Sequence, residues 1–220
     1  MSVNGRPTAT REHVLQSALK IFADCGYAGA SIQKIVDNAR VSKPALYYYF
    51  EDKAALFRGL VEQAHDERLH LMQKAAESGR SVAEKLEEIV SAVFDFAVKN
   101  RELMRLAFAT AFAAKGESPV QSSCCEKGRR NFEFIRELIE QGQKSGELSR
   151  KHTADEMAMG IYGQLNTYVM LRIFTPDIAL NREKAKAIVK LFLNGAARRK
   201  VRARNGEAPG RAKTVLSEQL

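Results

Sequence analysis

Cysteine is scarce in this 220-residue chain: Cys25 stands alone, and Cys124 and Cys125 are adjacent, which leaves no sound disulfide framework. No run of about 18 apolar residues exists to cross a bilayer, and the polar opening MSVNGRPTATRE has no apolar stretch of the secretory kind. A cytoplasmic chain with no membrane partner is therefore expected. Reactive constellations are missing too. Without a Ser/His/Asp set, a paired carboxylate cluster or a glycine-rich phosphate loop, no catalytic residue and no cofactor is expected. His65 and His70, five apart on one predicted helix, suit joint metal ligation badly and are expected at the solvent, so no metal site follows. The Cys124–Cys125 pair lacks histidines at ligand spacing and is expected on a loop or helix surface, with a redox role left open. Strand alternation and internal repeats are also absent.

What is present is apolar mass at helical spacing and an uneven charge. Hydrophobic residues make up 45% of the chain, enough to fill a core, and the formal charge is +9. Residues 1–58 carry 8 basic and 5 acidic side chains, residues 59–195 carry 20 and 19, and residues 196–220 carry 7 and 2. The surplus lies at the two ends, a distribution that suits a polyanionic partner.

Helix punctuation recurs along the chain. Thr10 is placed to cap a first helix whose Val14, Ala18, Phe22 and Cys25 share a face, with Gly26 where a left-handed ending is expected. Ser31 opens a short second helix, with Ile32, Ile35, Val36 and Ala39 at offsets that form one stripe. Ser42 caps a third, in which Pro44 is tolerable because first-turn amides have no intrahelical acceptor to lose. Asp52 caps a long fourth helix ending near Gly79. Ser81 with Glu84 and Thr153 with Glu156 match the reciprocal capping box and open further helices, and residues 154–174 and 182–197 complete the set.

Two short helices joined by a tight turn form a helix-turn-helix, whose second member can lie in the major groove of duplex DNA. In VSKPALYYYF, residues 41–50, Leu46 and Phe50 turn inward. Lys43, Pro44, Ala45, Tyr47 and Tyr48 then lie wholly or partly on the outer side. A phenol hydroxyl can donate to a phosphate oxygen while its ring packs on sugar or a thymine methyl, and Lys43 adds charge. Ser31, Ser42 and Lys53 are placed to face phosphates, and small Pro44 and Ala45 allow close approach to base edges. The competing reading makes the tyrosines boundary residues packed on the first helix, Tyr49 above all.

Residues 8–65, with REHVLQSALKIFADCGY and then SIQKIVDNARVSKPALYYYFEDKAALF, resemble the DNA-binding domain of the TetR family of bacterial transcriptional regulators. The resemblance implies an all-α fold of about nine helices. An N-terminal three-helix domain (8–65, helix-turn-helix 31–50) is followed by a helical ligand-binding and dimerisation domain (66–197). It also implies a homodimeric repressor that holds double-stranded operator DNA until a small molecule changes the separation of its heads. Carried over by position, the DNA-facing set includes Ser31, Gln33, Ser42, Lys43, Pro44, Tyr47, Tyr48, Tyr49 and Lys53. Arg40 stands where the family commonly has glycine, and Tyr49 where histidine is frequent. The alternative is an architectural or partner-binding protein with the same DNA head and no small-molecule switch.

Beyond residue 65 the reading is coarser. Met157, Ile161, Leu165, Tyr168 and Val169 on one helix, and Ile188, Val189, Phe192 and Leu193 on the next, are the candidates for self-association as a four-helix bundle. A monomer could bury those faces internally instead. For the effector, Phe94, Phe96, Met104, Phe108, Phe112, Phe132 and Phe134 fall where the family encloses its ligand, which favours a hydrophobic or aromatic molecule with Arg105 or Tyr162 as polar anchor. Arg6 is placed to reach an adjacent minor groove. Residues 198–220, rich in Gly, Pro and Arg, read as a basic, disordered tail.

Overall fold

Side-chain caps start most of the helices. In the computed structural model, which describes residues 7–111, 119 and 121–196, Ser31 Oγ accepts from the Lys34 amide at 3.2 Å and opens α2 (Ile32–Ala39). Ser42 Oγ accepts from the Ala45 amide at 3.3 Å and opens α3 (Lys43–Tyr47). Asp52 Oδ1 accepts from the Ala55 amide at 2.6 Å and opens α4 (Lys53–Ala76). Each satisfies one of the amides that a helix start leaves without a partner. Thr153 and Glu156 form the full reciprocal box ahead of α8 (Ala154–Phe174), at 3.2 and 2.8 Å. Ser81 makes only half of one before α5 (Val82–Lys99). Its hydroxyl takes the Glu84 amide, but the Glu84 carboxylate turns to the amide of Arg80 at 2.8 Å.

The remaining helices are α1 (Pro7–Gly29), α6 (Arg101–Ala111), α7 (Gln121–Ser145) and α9 (Arg182–Ala196). Among the described residues the architecture is all-helical. Thr10 lies inside α1, which begins at Pro7. Gly26, at φ 70°, ψ 176°, interrupts α1 where a positive φ is expected, and a Cβ there would be strained. Arg6, Phe112, the 198–220 tail and the side chains of Cys124 and Cys125 lie outside the described residues.

Arg40, at φ 53°, ψ 40°, closes α2 in the left-handed region and is the one non-glycine residue with positive φ among the described residues. That conformation costs an L-residue about 1 kcal/mol. It is held because the amides of Arg40 and Val41 return to Asp37 and Val36, at 3.3 and 3.1 Å.

Two apolar clusters organise the chain. The first packs Val14, Leu15 and Phe22 of α1 against Ile35 and Val36 of α2, Leu46 of α3, Phe50, and Leu56, Phe57 and Leu60 of α4. The second joins α5, α7, α8 and α9 around Phe94, Ile89, Ile139, Ile161 and Val189. Two helices give buried residues to both. Helix α4 gives Leu56–Val61 to the first cluster and Ala64 and Met72 to the second, while α6 gives Leu106 to the first and Leu103 and Met104 to the second. A displacement of either helix is therefore felt in both halves.

Candidate nucleic-acid interface and ligand cavity

The α2–α3 pair is pinned from behind. A ring nitrogen of His13 on α1 donates to the carbonyl of Ala39 at 2.9 Å, fixing the end of α2 against α1. Phe50 sits beneath the Arg11 guanidinium, 5.3 Å from its ring centre. With Leu46 fully buried and Phe50 nearly so, the opposite side of α3 has no choice but to face outward.

That side carries Ser42, Lys43 and Pro44, all exposed, with Tyr47 at 49% and Tyr48 at 79% exposure. Ala45 is half-buried beside them. Ser31 and Ser42 use their oxygen lone pairs on helix amides, which leaves each hydroxyl proton to donate outward. Gln33 is exposed and donates to Asp37 at 2.7 Å, so its amide is held along the outer side of α2. Two large rings with polar tips, one ammonium and two hydroxyls thus share one convex strip, a set able to bind phosphate and read groove edges.

Two positions differ from their expected roles. Lys53 does not reach outward: its ammonium donates to the carbonyls of Tyr27 and Ala30, at 2.9 and 3.0 Å, and lies 4.3 Å from the Tyr27 ring centre. It ties the start of α4 to the end of α1, which engages the charge that the sequence assigns to a phosphate. Tyr49 is half-buried against the first cluster and meets Tyr48 edge to face at 4.9 Å. Its ring props up its neighbour.

A cavity of about 230 Å³ lies between α4, α6 and α8, walled by Ala64, His65, Arg68, Met104, Ala107, Phe108, Ala111, Tyr162 and Asn166. Met104, Phe108 and Tyr162 are there as the sequence suggests, and Phe132 packs on Tyr162 at 5.8 Å just behind. Phe94 and Arg105 are not. Phe94 is fully buried in the second cluster beside Tyr168 of α8. Arg105 is exposed and donates to the carbonyl of Ala23, linking α6 to α1. The polar side of the cavity comes instead from Arg68, His65 and Asn166. Arg68 has a visible signal: it continues the every-fourth-residue stripe Leu56, Leu60, Ala64 and Met72, which is the inward face of α4.

Arg68 is 7% exposed and donates to Asn166 Oδ1 at 2.8 Å, with its guanidinium 5.1 Å from the centre of the Tyr162 ring. Its Nε is buried without a partner. The nearby carboxylates are engaged elsewhere: Asp66 pairs with Lys127 and Arg130, and Glu62 lies 4.0 Å from Lys127. His65 is half-buried, contrary to its expected place at the solvent, with Asn131 Nδ2 3.3 Å from its carbonyl. Burial pushes its imidazole down to about 4; the charges of Arg68 and Lys127 act the same way, and Asp66 opposes them.

This shift has a sign that can be measured. An unfolded histidine titrates near 6.5, so neutral His65 contributes its full stabilisation above that pH, and the contribution is lost as pH falls toward 4. The loss should be on the order of 2–3 kcal/mol by pH 4. Urea unfolding at neutral pH and near pH 4.5 is expected to show a smaller fall for His65→Gln than for the unaltered protein; equal falls would mean that His65 is not the group responsible.

The last two helices also differ from expectation. Ile161, Leu165, Val169, Ile188, Val189 and Phe192 are buried within the single chain and so do not form a docking face, while Tyr168 and Leu193 are half-buried against the same core. The outward side carries other residues: Met159, Leu171 and Phe174 on α8, at 64%, 39% and 76% exposure, and Leu191 on α9 at 66%. Gly160 and Gly163 continue that side of α8 with open space where a Cβ would stand. Gly160, Leu191 and Gly195 line one groove between the two helices. Helix α8 is apolar on two sides, one facing its own core and one facing outward.

Residues 14–60 match the family model described as bacterial regulatory proteins, tetR family. Regulator AcrR of Shigella flexneri is 26% identical over 193 residues, covering 84% of this chain and 87% of its own. Over residues 14–60 the chain matches the TetR family, and those residues take in the whole of α2 and α3. Activator FasR of Mycolicibacterium smegmatis is 29% identical over 111 residues, covering 50% of this chain; the chain spans about half the length of that relative. Among solved structures, the transcriptional regulator FadR from Bacillus subtilis in complex with stearoyl-CoA has a TM-score of 0.72. It is 17% identical and covers 84% of this chain and 98% of its own, which supports the fold. Among the described residues, no helix is long and apolar enough to cross a membrane, and no group of three or more His, Cys, Asp or Glu side chains could hold a metal ion.

Proposed function

We propose that the protein is a homodimeric repressor whose two α3 helices occupy successive major-groove half-sites of a palindromic operator and leave it when a small hydrophobic ligand enters the α4–α6–α8 cavity. The observation that carries the DNA half of this reading is the exposure of Tyr47 and Tyr48 beside Ser42 and Lys43 on a helix whose other face is buried. Rings this large are left in water at a cost, and a duplex surface supplies the cover they lack.

The ligand half is supported by the sharing of helices. A molecule between α4 and α6 pushes on two elements that both reach the DNA head, α4 through Leu56–Val61 and α6 through Leu106 and the Arg105–Ala23 link. That Bacillus subtilis FadR, a protein of the same fold, is found in complex with stearoyl-CoA supports a small-molecule ligand for this chain. The dimer is supported by the apolar outward side of α8 and α9.

The test is to select bound fragments from genomic DNA with the purified chain. A two-fold related site with half-sites about one helical turn apart is the expected result. Fragments without any shared sequence, or a shared sequence without two-fold symmetry, would refute the operator-bound dimer.

A further inference from the structure

The cavity has a chemical asymmetry that narrows its ligand. One side is apolar, on Met104, Ala107 and Phe108; the other holds Arg68, which is only 7% exposed, pairs with no carboxylate among the described residues and leaves Nε without a partner. A buried guanidinium is normally compensated by an anion, because its desolvation is costly and its Coulomb field is weakly screened. Here a neutral amide oxygen and a ring face stand in for one.

We infer that the cavity binds a small amphipathic monocarboxylate, its head group on the guanidinium of Arg68 where it lines the cavity and its ring or short chain on Met104 and Phe108. This deepens the reading of the cavity as the effector site and rests on it. The guanidinium edge offers parallel N–H donors that match a carboxylate, a charge-assisted pairing stronger than a neutral one. Single negative charge follows from there being one cation among the described lining residues, with His65 neutral at physiological pH. About 150 Å³ of dry cavity accommodates benzene, so the 230 Å³ bounded by the described residues has room for one ring with a short acidic arm.

The probes are 3-phenylpropionate and its neutral counterpart of the same shape, 3-phenylpropionamide, tested on the full chain by calorimetry and thermal shift. The acid is expected to bind about 10- to 100-fold more tightly than the amide. In Arg68→Met that preference should vanish, with the melting temperature held or raised because an uncompensated charge has gone. Arg68→Lys, which keeps the charge and loses the flat edge, should retain part of it.

Equal binding of acid and amide to the unaltered protein, no binding of the acid at millimolar concentration, or a preference surviving in Arg68→Met would each overturn the inference. The acid–amide comparison needs no variant, so it stands even if Arg68→Met fails to fold. Operator binding by the unaltered protein is measured in parallel: a protein that holds its operator but ignores the acid loses only this ligand class, whereas one that holds no operator refutes the regulatory reading itself.

Discussion

Replacing Phe174 and Leu191 together by aspartate is expected to turn the protein into a monomer that retains its fold and loses operator affinity by about 100-fold or more. Both side chains are mostly exposed in the single chain, at 76% and 66%, so the core does not notice their removal. In a dimer through α8 and α9 they fall within the covered patch, where an unpaired carboxylate costs several kcal/mol. A stable interface needs roughly 800 Å² from each partner, and the glycines at 160 and 163 let two helices approach closely enough to provide it. Affinity falls because the second reading head no longer benefits from the high effective concentration that tethering provides. Sedimentation and operator titration check both halves of the statement. A double variant that still sediments as a dimer would put the interface on another surface.

The second large effect is expected at the reading helix. Alanine at both Tyr47 and Tyr48 should lower operator affinity by about 100- to 1,000-fold, since each ring gives up roughly 1 kcal/mol of phosphate and groove binding and each is presented twice. Thermal stability should change little, because these two rings are solvent-facing. Tyr49→Ala should do the reverse and chiefly lower stability, its ring being packed against the first cluster. Lys43→Ala adds a separate readout. If the ammonium neutralises one phosphate per subunit, the dependence of binding on salt should become shallower by about 0.9 for each phosphate that is no longer neutralised. Unchanged affinity in the tyrosine variant, at matched folding, would contradict the docking.

Legibility follows the range of the interaction. The caps at Ser31, Ser42, Asp52 and Thr153 each act on an amide three residues along the chain, and the structure agrees with all four. Leu46 and Phe50 are readable as inward because helical periodicity links them directly. The Ser81 box fails at one residue: Glu84 has two amides within reach, and spacing alone does not choose between those of Ser81 and Arg80.

The errors lie where partners are far apart in sequence. Position suggests Lys53 as a phosphate ligand, yet carbonyls 26 and 23 residues earlier take its ammonium. Arg105 suggests a ligand anchor and is instead bound to Ala23, 82 residues away. His65 is expected at the solvent, although Asn131 lies against it from α7. On α8, periodicity identifies two apolar sides and cannot say which meets its own core, so Ile161, Leu165 and Val169 are assigned to a partner and prove to be interior.

By itself the amino-acid order determined the helical class, the positions of most helix starts and the outward display of Tyr47 and Tyr48, because capping and periodicity are decided within a turn or two of chain. Periodicity also turned Arg68 inward on α4, but tertiary packing alone decided which apolar side of α8 stayed uncovered, and that the space beside Arg68 and His65 would be a cavity. Those outcomes depend on which surfaces of α4, α6, α7 and α8 meet, and close approach between segments a hundred residues apart follows from the whole set of packing energies, with no local signature in the chain.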